Sequence, residues 1–182
     1  VTINYLTGST VSDTITGGVA AETFNMNEIR GADTIEGGAT GIDTLSSNDT
    51  TVTETGSAAS TGVVLNMGTS NVTGVNVLAQ VGDHLSGSAG GVVAPGTMAY
   101  IFNAADAATP VNSAIVDQIS GIENFTSTVA AGVEYVVGSD AANVLTLGAG
   151  NDYADGGPGN DTLVGGDGTD TLLGGDGDDT IT

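Results

Sequence analysis

Towards its C-terminal end the chain repeats one hydrophobic position every nine residues. Leu163, Leu172 and Ile181 keep this spacing, each two residues after an aspartate: Asp161, Asp170 and Asp179. Glycine pairs open the same units, at Gly156-Gly157, Gly165-Gly166 and Gly174-Gly175, with a further glycine at Gly159, Gly168 and Gly177. The pattern is G-G-x-G-x-D-x-U-x, where U is a large aliphatic residue. Its first half is turn chemistry, because glycine lets the backbone reverse within a few residues. Its second half is a strand too short to stand alone, with one inward side chain. Two units make a coil of 18 residues, with a strand on each side. Successive coils stack about 4.8 Å apart, and each buries its apolar residue only against its neighbours.

The frame runs back from this stretch. Residues 147–155, LGAGNDYAD, fit with Leu147 in place of the first glycine, Gly148 and Gly150 in the turn, and Asp152 at the sixth place. Residues 138–146, GSDAANVLT, fit with Asn143 at the sixth place. Near the N-terminus, GSTVSDTIT from Gly8 places Asp13, and GGVAAETFN from Gly17 places Glu22. After the extra Met26 and Asn27, EIRGADTIE places Asp33, and GGATGIDTL from Gly37 reaches Asp43 after one insertion. The segment GDHLSGSAG carries Asp83 and Leu85 in the same frame. The rest of the middle reads as strands bounded by Gly, Asn or Ser: GVVLNM, MAYIF, NSAIVDQI and VEYVV. AADAATP reads as a loop. No segment holds a capped helical period over three turns. The expected fold is all-β, a parallel β-roll or β-solenoid. It divides into residues 1–45 (degenerate repeats), 46–137 (irregular) and 138–182 (regular repeats), forming one continuous solenoid.

Composition sharpens this picture. Hydrophobic residues make up 39% of the 182 residues but aromatics only 4%, so the core must be thin layers of aliphatic side chains. Thirty glycines are about twice the usual share of roughly 7%. There are 22 acidic residues against one base, Arg30, for a net charge of −21. Self-repulsion on that scale opposes compaction, so positive charge must come from outside the chain. One arginine builds no basic patch, which excludes nucleic acid and disfavours an anionic membrane surface. No apolar run is long enough for a transmembrane helix. There is no cysteine, so a secreted form needs a cross-link other than disulfides. Starting at Val1 without a signal peptide, the sequence reads as a processed chain or an excised piece.

Turns two units apart share one edge of the roll, so Asp152 is expected over Asp170 and Asp161 over Asp179. Stacked carboxylates repel unless a cation lies between them. Carboxylate and carbonyl oxygens are hard donors that suit Ca²⁺, whereas Mg²⁺ demands a rigid octahedron and keeps its water. These units resemble the RTX (repeats-in-toxin) family, whose nonapeptide forms a calcium-binding β-roll, and in particular RTX solenoids of bacterial S-layer proteins and large adhesins. The resemblance is strong over residues 138–182 and fair over 8–45. It implies several Ca²⁺ ions, held by the aspartates and by backbone carbonyls of the glycine turns at 148, 150, 156, 157, 159, 165, 166, 168, 174, 175 and 177. A weaker site is expected between Asn143 and Asp161. Asp13 with Asp33, and Glu22 with Asp43, form further pairs. The alternative for these N-terminal units is a solenoid without metal, because insertions at Met26 and Gly41 break the stacking.

Catalysis finds little footing. His84 is the only histidine, and neither Ser86 nor Ser88 sits in a nucleophile elbow. Zinc needs more histidine or cysteine than the chain has. A sugar-cleaving groove would normally show aromatic platforms, yet there is no Trp, and Tyr100, Phe102, Phe125 and Tyr135 lie in strand-like runs. The expectation is a non-enzymatic, secreted, calcium-folded structural protein of a bacterial surface, an S-layer or filament subunit that associates end to end. It would leave the cell unfolded through a type I secretion channel. The alternative is the calcium-binding module of a larger secreted adhesin or enzyme.

Overall fold

The computed structural model describes residues 2–4, 14–26, 34–47, 60–71, 94–102, 116–128 and 133–182. These residues form strands and turns and contain no helix. Most of the strands belong to two facing sheets, and the chain passes back and forth between them. The first sheet contains, in spatial order, β1 (Thr2–Asn4), β3 (Thr23–Met26), β5 (Thr44–Ser47), β9 (Asn124–Ser127), β11 (Val144–Thr146), β14 (Thr162–Val164) and β17 (Thr180–Ile181). All its pairings are parallel. The second sheet runs β2 (Thr14–Thr16), β4 (Thr34–Glu36), β8 (Val116–Ser120), β7 (Thr97–Phe102), β6 (Ser60–Asn66), β10 (Val133–Val137), β13 (Tyr153–Pro158) and β16 (Thr171–Asp176). Along one edge the turns themselves pair, β12 (Ala149–Gly150) with β15 (Asp167–Gly168).

The 18-residue coil appears directly in the register. Val144 pairs with Thr162, Thr162 with Thr180, and Tyr153 with Thr171. In the N-terminal coils Thr14 pairs with Thr34 and Thr23 with Thr44, offsets lengthened by the inserted residues. The insertions therefore do not break the stack. Met26 lies in β3, paired with Ser47, and the insertion before Asp43 lies in a turn where Gly41 adopts φ 129° and the Thr40 hydroxyl donates to the Val19 carbonyl.

Eighth-place side chains form the core. Phe24, Leu45, Phe125, Leu145 and Leu163 follow one another across the first sheet, each almost wholly buried. Ile35 and Ile119 pair on the second sheet, as do Leu65 and Val136, and Val136 and Ala154. One apolar cluster thus runs through both halves of the solenoid.

The middle of the chain departs from a purely parallel roll. Strands β6, β7, β8 and β10 coincide with the four apolar runs of the sequence, but β7 is antiparallel to both β6 and β8. Two extra strands, β6 and β7, thus separate β8 from β10 in the second sheet, while β9 and β11 are direct neighbours in the first. At about 4.8 Å per strand the second sheet is about 10 Å longer there, so the coils must fan around the Phe125–Leu145 contact. The residues 82–90 unit with His84, Ser86 and Ser88, and the 104–110 loop lie outside the described residues.

Candidate metal centre

Each turn between the sheets delivers its sixth-place residue just before a strand, except that Glu134 is the second residue of β10. On the edge leading into the first sheet these residues are Glu22, Asp43, Glu123, Asn143, Asp161 and Asp179. On the edge leading into the second sheet they are Glu134, Asp152 and Asp170. One rule joins all neighbours except Glu123 and Asn143, where the Glu123 N–H donates to the Asp43 carbonyl and the Asn143 side-chain oxygen accepts from Ser139 N–H. The side-chain oxygen of one residue accepts the backbone N–H of its counterpart one coil earlier: Asp161 N–H to Asp179 Oδ1 at 2.9 Å, and Asp152 N–H to Asp170 Oδ1 at 3.0 Å. Asn143 N–H reaches Asp161 Oδ1 and Glu134 N–H reaches Asp152 Oδ1, both at 2.8 Å. Near the N-terminus Glu22 N–H donates to Asp43 Oδ1 and Asp43 N–H to Glu123 Oε2, both at 2.7 Å. The acids therefore stack as a file, held by their neighbours' amides. Asp13 and Asp33 lie outside the described residues.

The second carboxylate oxygen explains the first glycine of each unit. A methyl group on Gly165 would lie 2.5 Å from Asp170 Oδ2, and methyls on Gly156 and Gly174 would strike Asp161 Oδ2 and Asp179 Oδ2. At the second and fourth places two further demands coincide. Gly166 and Gly168 have φ 91° and 143°, and any Cβ there would overlap the carbonyl oxygens of Gly148 and Gly150 in the turn below. Gly175 and Gly177 meet Gly157 and Gly159 in the same way. Carbonyl and carboxylate oxygens are thus crowded along each edge. Where Leu147 replaces the first glycine, its side chain joins the apolar core.

Sequence reasoning missed three participants. Glu134 occupies the sixth place of a unit beginning at Val129, and counting nine back from Gly138 would have found it. Glu123 precedes β9 as Asp43 precedes β5. The fifth place carries a second ladder: Asn151 Oδ1 accepts from Thr169 N–H, and Asn160 Oδ1 from Asp178 N–H, both at 3.0 Å.

Glu134 is 0% exposed, and Asp152 and Asp161 are 1% exposed. Each keeps one buried oxygen without a hydrogen-bond partner: Glu134 Oε1, Asp152 Oδ2 and Asp161 Oδ2. Burying a carboxylate oxygen unpaired is costly. The cost is visible in their proton affinities. Burial, and then the charge of Asp152, push Glu134 up to about 7. Burial raises Asp152 too, with Asp170 adding to it, against the amide of Glu134. Burial raises Asp161, with Asp179 adding to it, against the amide of Asn143. These groups call for a proton or a cation. Nearby donors are oxygen only, and no three carboxylates or imidazoles gather at one point among the described residues, so an ion must draw its remaining ligands from backbone carbonyls. That donor set fits Ca²⁺.

Asn143 is closed differently. Its Oδ1 accepts from Ser139 N–H at 2.8 Å, and its Nδ2 donates to the Glu123 carbonyl and to Ser139 Oγ. A carbonyl can only accept, which fixes the orientation of the amide.

Among the described residues no helix is long and apolar enough to cross a membrane. No curated protein matches the chain as a relative. The family model of the RTX calcium-binding nonapeptide repeat matches residues 130–163 and 155–182. The match begins one residue after the unit that contains Glu134 opens and runs to the end of the regular coils. With the stacked glycine turns and the buried, unpartnered carboxylate oxygens, it makes residues 130–182 a calcium-binding segment of the RTX nonapeptide-repeat family.

Proposed function

We propose that the chain is a secreted, non-catalytic structural protein of a bacterial surface, an S-layer or filament subunit whose roll folds and associates end to end when Ca²⁺ binds. One observation carries the calcium switch. Buried carboxylates with unpartnered oxygens lie in a chain with a single basic residue, so the compensating charge must come from solution. Inside a cell, where free calcium is scarce, these coils would stay open, which suits passage through a type I secretion channel. Outside, calcium at about 10⁻⁴–10⁻³ M would close them. The ions occupy the Asp152–Asp170 and Asp161–Asp179 rungs, with carbonyls of the flanking turns completing each shell. A parallel roll grows by adding coils, and a second molecule can supply them as well as the same chain, which is the physical basis for assembly.

The confinement of the family match to residues 130–182 favours a second reading, the calcium-binding module of a larger secreted adhesin or enzyme. A calcium titration followed together by circular dichroism and sedimentation separates the two. The structural role predicts gain of β signal and growth into large species at millimolar calcium, and little of either in equal magnesium. Folding without association favours the module, and β signal unchanged by full chelation contradicts the switch.

A further inference from the structure

We infer that a cleft on the outer face of the second sheet, between the turn of residues 68–71 and strand β13, is a binding site for a neutral sugar residue. The site goes beyond the calcium reading. Its carboxylates, Asp140 and Asp155, do not belong to the file of sixth-place acids.

The cleft encloses about 410 Å³ and opens to solvent, a size that suits a small ligand. Its floor is strand β10. Tyr135 and Val137 stand on the outer face there, because Val136 between them faces the core. One wall follows β6 and the other follows β13, the two neighbours of β10, so the walls stand about 10 Å apart. Gly68 keeps the floor open, since a Cβ there would lie 3.2 Å from Val137 Cγ1 and 3.1 Å from the Gly138 carbonyl oxygen.

The walls are held in place before any ligand arrives. Asn66 is fully buried, and its Oδ1 accepts the Gly68 N–H while its Nδ2 donates to the Ser70 carbonyl, both at 3.1 Å. Tyr135 lies parallel against Tyr153, with ring centroids 4.2 Å apart. On the opposite wall Asp155 Oδ1 accepts the Gly157 N–H at 3.2 Å. A preorganised site loses little freedom on binding.

The lining offers both halves of a hydrogen bond. Asp140 and Asp155 accept, whereas the Thr69 and Ser70 hydroxyls and the Asn71 amide donate. Sugar hydroxyls donate and accept, so one ring can serve both walls. Val137 on the floor and Pro158 at the rim are apolar and match the C–H face of the ring. Other ligand classes fit less well. An anion would meet two carboxylates and, among the described residues, no base. An organic cation would satisfy the carboxylates but leave the Asn71 amide hydrogens facing a ligand without acceptors.

Titration of the full chain in calcium, read by saturation-transfer NMR and calorimetry, tests the site. The probes are the methyl glycosides of glucose, galactose and mannose, with glucuronate as the anionic control and spermidine as the cationic one. At least one methyl glycoside is expected to bind in the millimolar range, and more tightly than glucuronate. Asp155→Asn keeps an oxygen for the Gly157 N–H, and Asn71→Ala removes the donor from the other wall. Each should weaken binding about tenfold with the circular dichroism spectrum unchanged. Should Asp155→Asn not fold, Asn71→Ala, on an exposed turn, decides alone. The site is overturned if no methyl glycoside binds well above the millimolar range, or if binding is unchanged in both variants. Binding of spermidine in place of every glycoside would make the cleft a cation site and overturn the sugar assignment. The cleft is built on coils that the calcium reading closes. A β signal that calcium leaves unchanged counts against that reading and lets the sugar result stand.

Discussion

The coils of residues 14–47 and those of residues 133–182 share one backbone plan but close their turns by different means. In the N-terminal coils the sixth-place acids spend their oxygens on amides: Glu22 Oε2 takes Gly18 N–H, Asp43 Oδ1 takes Glu22 N–H, and Glu123 takes Asp43 N–H. Their core is bulky, with Phe24, Ile35 and Leu45 buried. In the C-terminal coils the core is made by Val136, Leu145, Leu147, Ala154 and Leu163, and the buried unpartnered oxygens lie there, on Glu134, Asp152 and Asp161. On the calcium reading proposed above, metal dependence follows from whether a sixth-place side chain keeps a buried oxygen without a partner, more than from the aspartate itself.

Cutting the link between the two regions has the largest expected effect. Phe125 is fully buried and pairs with Leu45 on one side and Leu145 on the other, at the place where the second sheet fans. Phe125→Ala should cost about 3–5 kcal/mol, destabilising both regions in calcium and the N-terminal coils in chelator. Denaturant unfolding in the two conditions measures it, and a loss in one region alone in calcium would show that the core is not shared.

Asp161→Asn sharpens the contrast, because its sign should reverse with the metal. The amide keeps an oxygen for the Asn143 N–H and replaces the unpartnered Oδ2 with a donor. In chelator the variant should be at least as stable as the parent. At ten times the calcium dissociation constant it should be less stable by about 1.4 kcal/mol, the contribution of one ion. Paired melts in the two conditions check this, and destabilisation in chelator would contradict it.

A smaller effect is expected from pH. Glu134 has its folded-state value raised from 4.5 to about 7, so the folded chain binds the proton more tightly than the unfolded chain does. Without calcium, the C-terminal coils should be most stable below about pH 4.5 and lose that stability as pH rises through 7; Asp152 and Asp161 are shifted in the same direction. Calcium competes with the proton, so its affinity should rise across the same window. Melting temperatures between pH 4 and 8 in chelator test the slope, and stability increasing with pH would refute it.

Much of this was legible in the sequence because a nine-residue period fixes both strand and turn. The stacking of Asp152 on Asp170 and of Asp161 on Asp179 follows from counting, and so does the inward file through Leu163. Counting does not reveal strand direction. The runs that became β6, β7 and β8 read as strands, but their apolar pattern does not distinguish parallel from antiparallel pairing, so the two extra strands went unforeseen. Glu134 was hidden because its unit lacks the glycines that announce a turn, and its neighbours Tyr135 and Val136 read as strand. The insertions at Met26 and Gly41 look disruptive only if the spacing is rigid, whereas the register lengthens to Thr14–Thr34 and Thr23–Thr44 with Glu22 and Asp43 still in file.

The central claim is that calcium closes the C-terminal coils while the N-terminal coils close themselves. Hydrogen exchange, read segment by segment in calcium and after chelation, tests it most directly. The Thr162 and Thr180 amides donate to the carbonyls of Asn143 and Asp161, and the Thr44 amide to that of Glu22. On chelation the first two should fall to exchange rates near those of an unfolded chain, while Thr44 and the Glu22 amide keep most of their protection. Equal loss in both regions, or protection of Thr162 and Thr180 that survives chelation, would contradict the account.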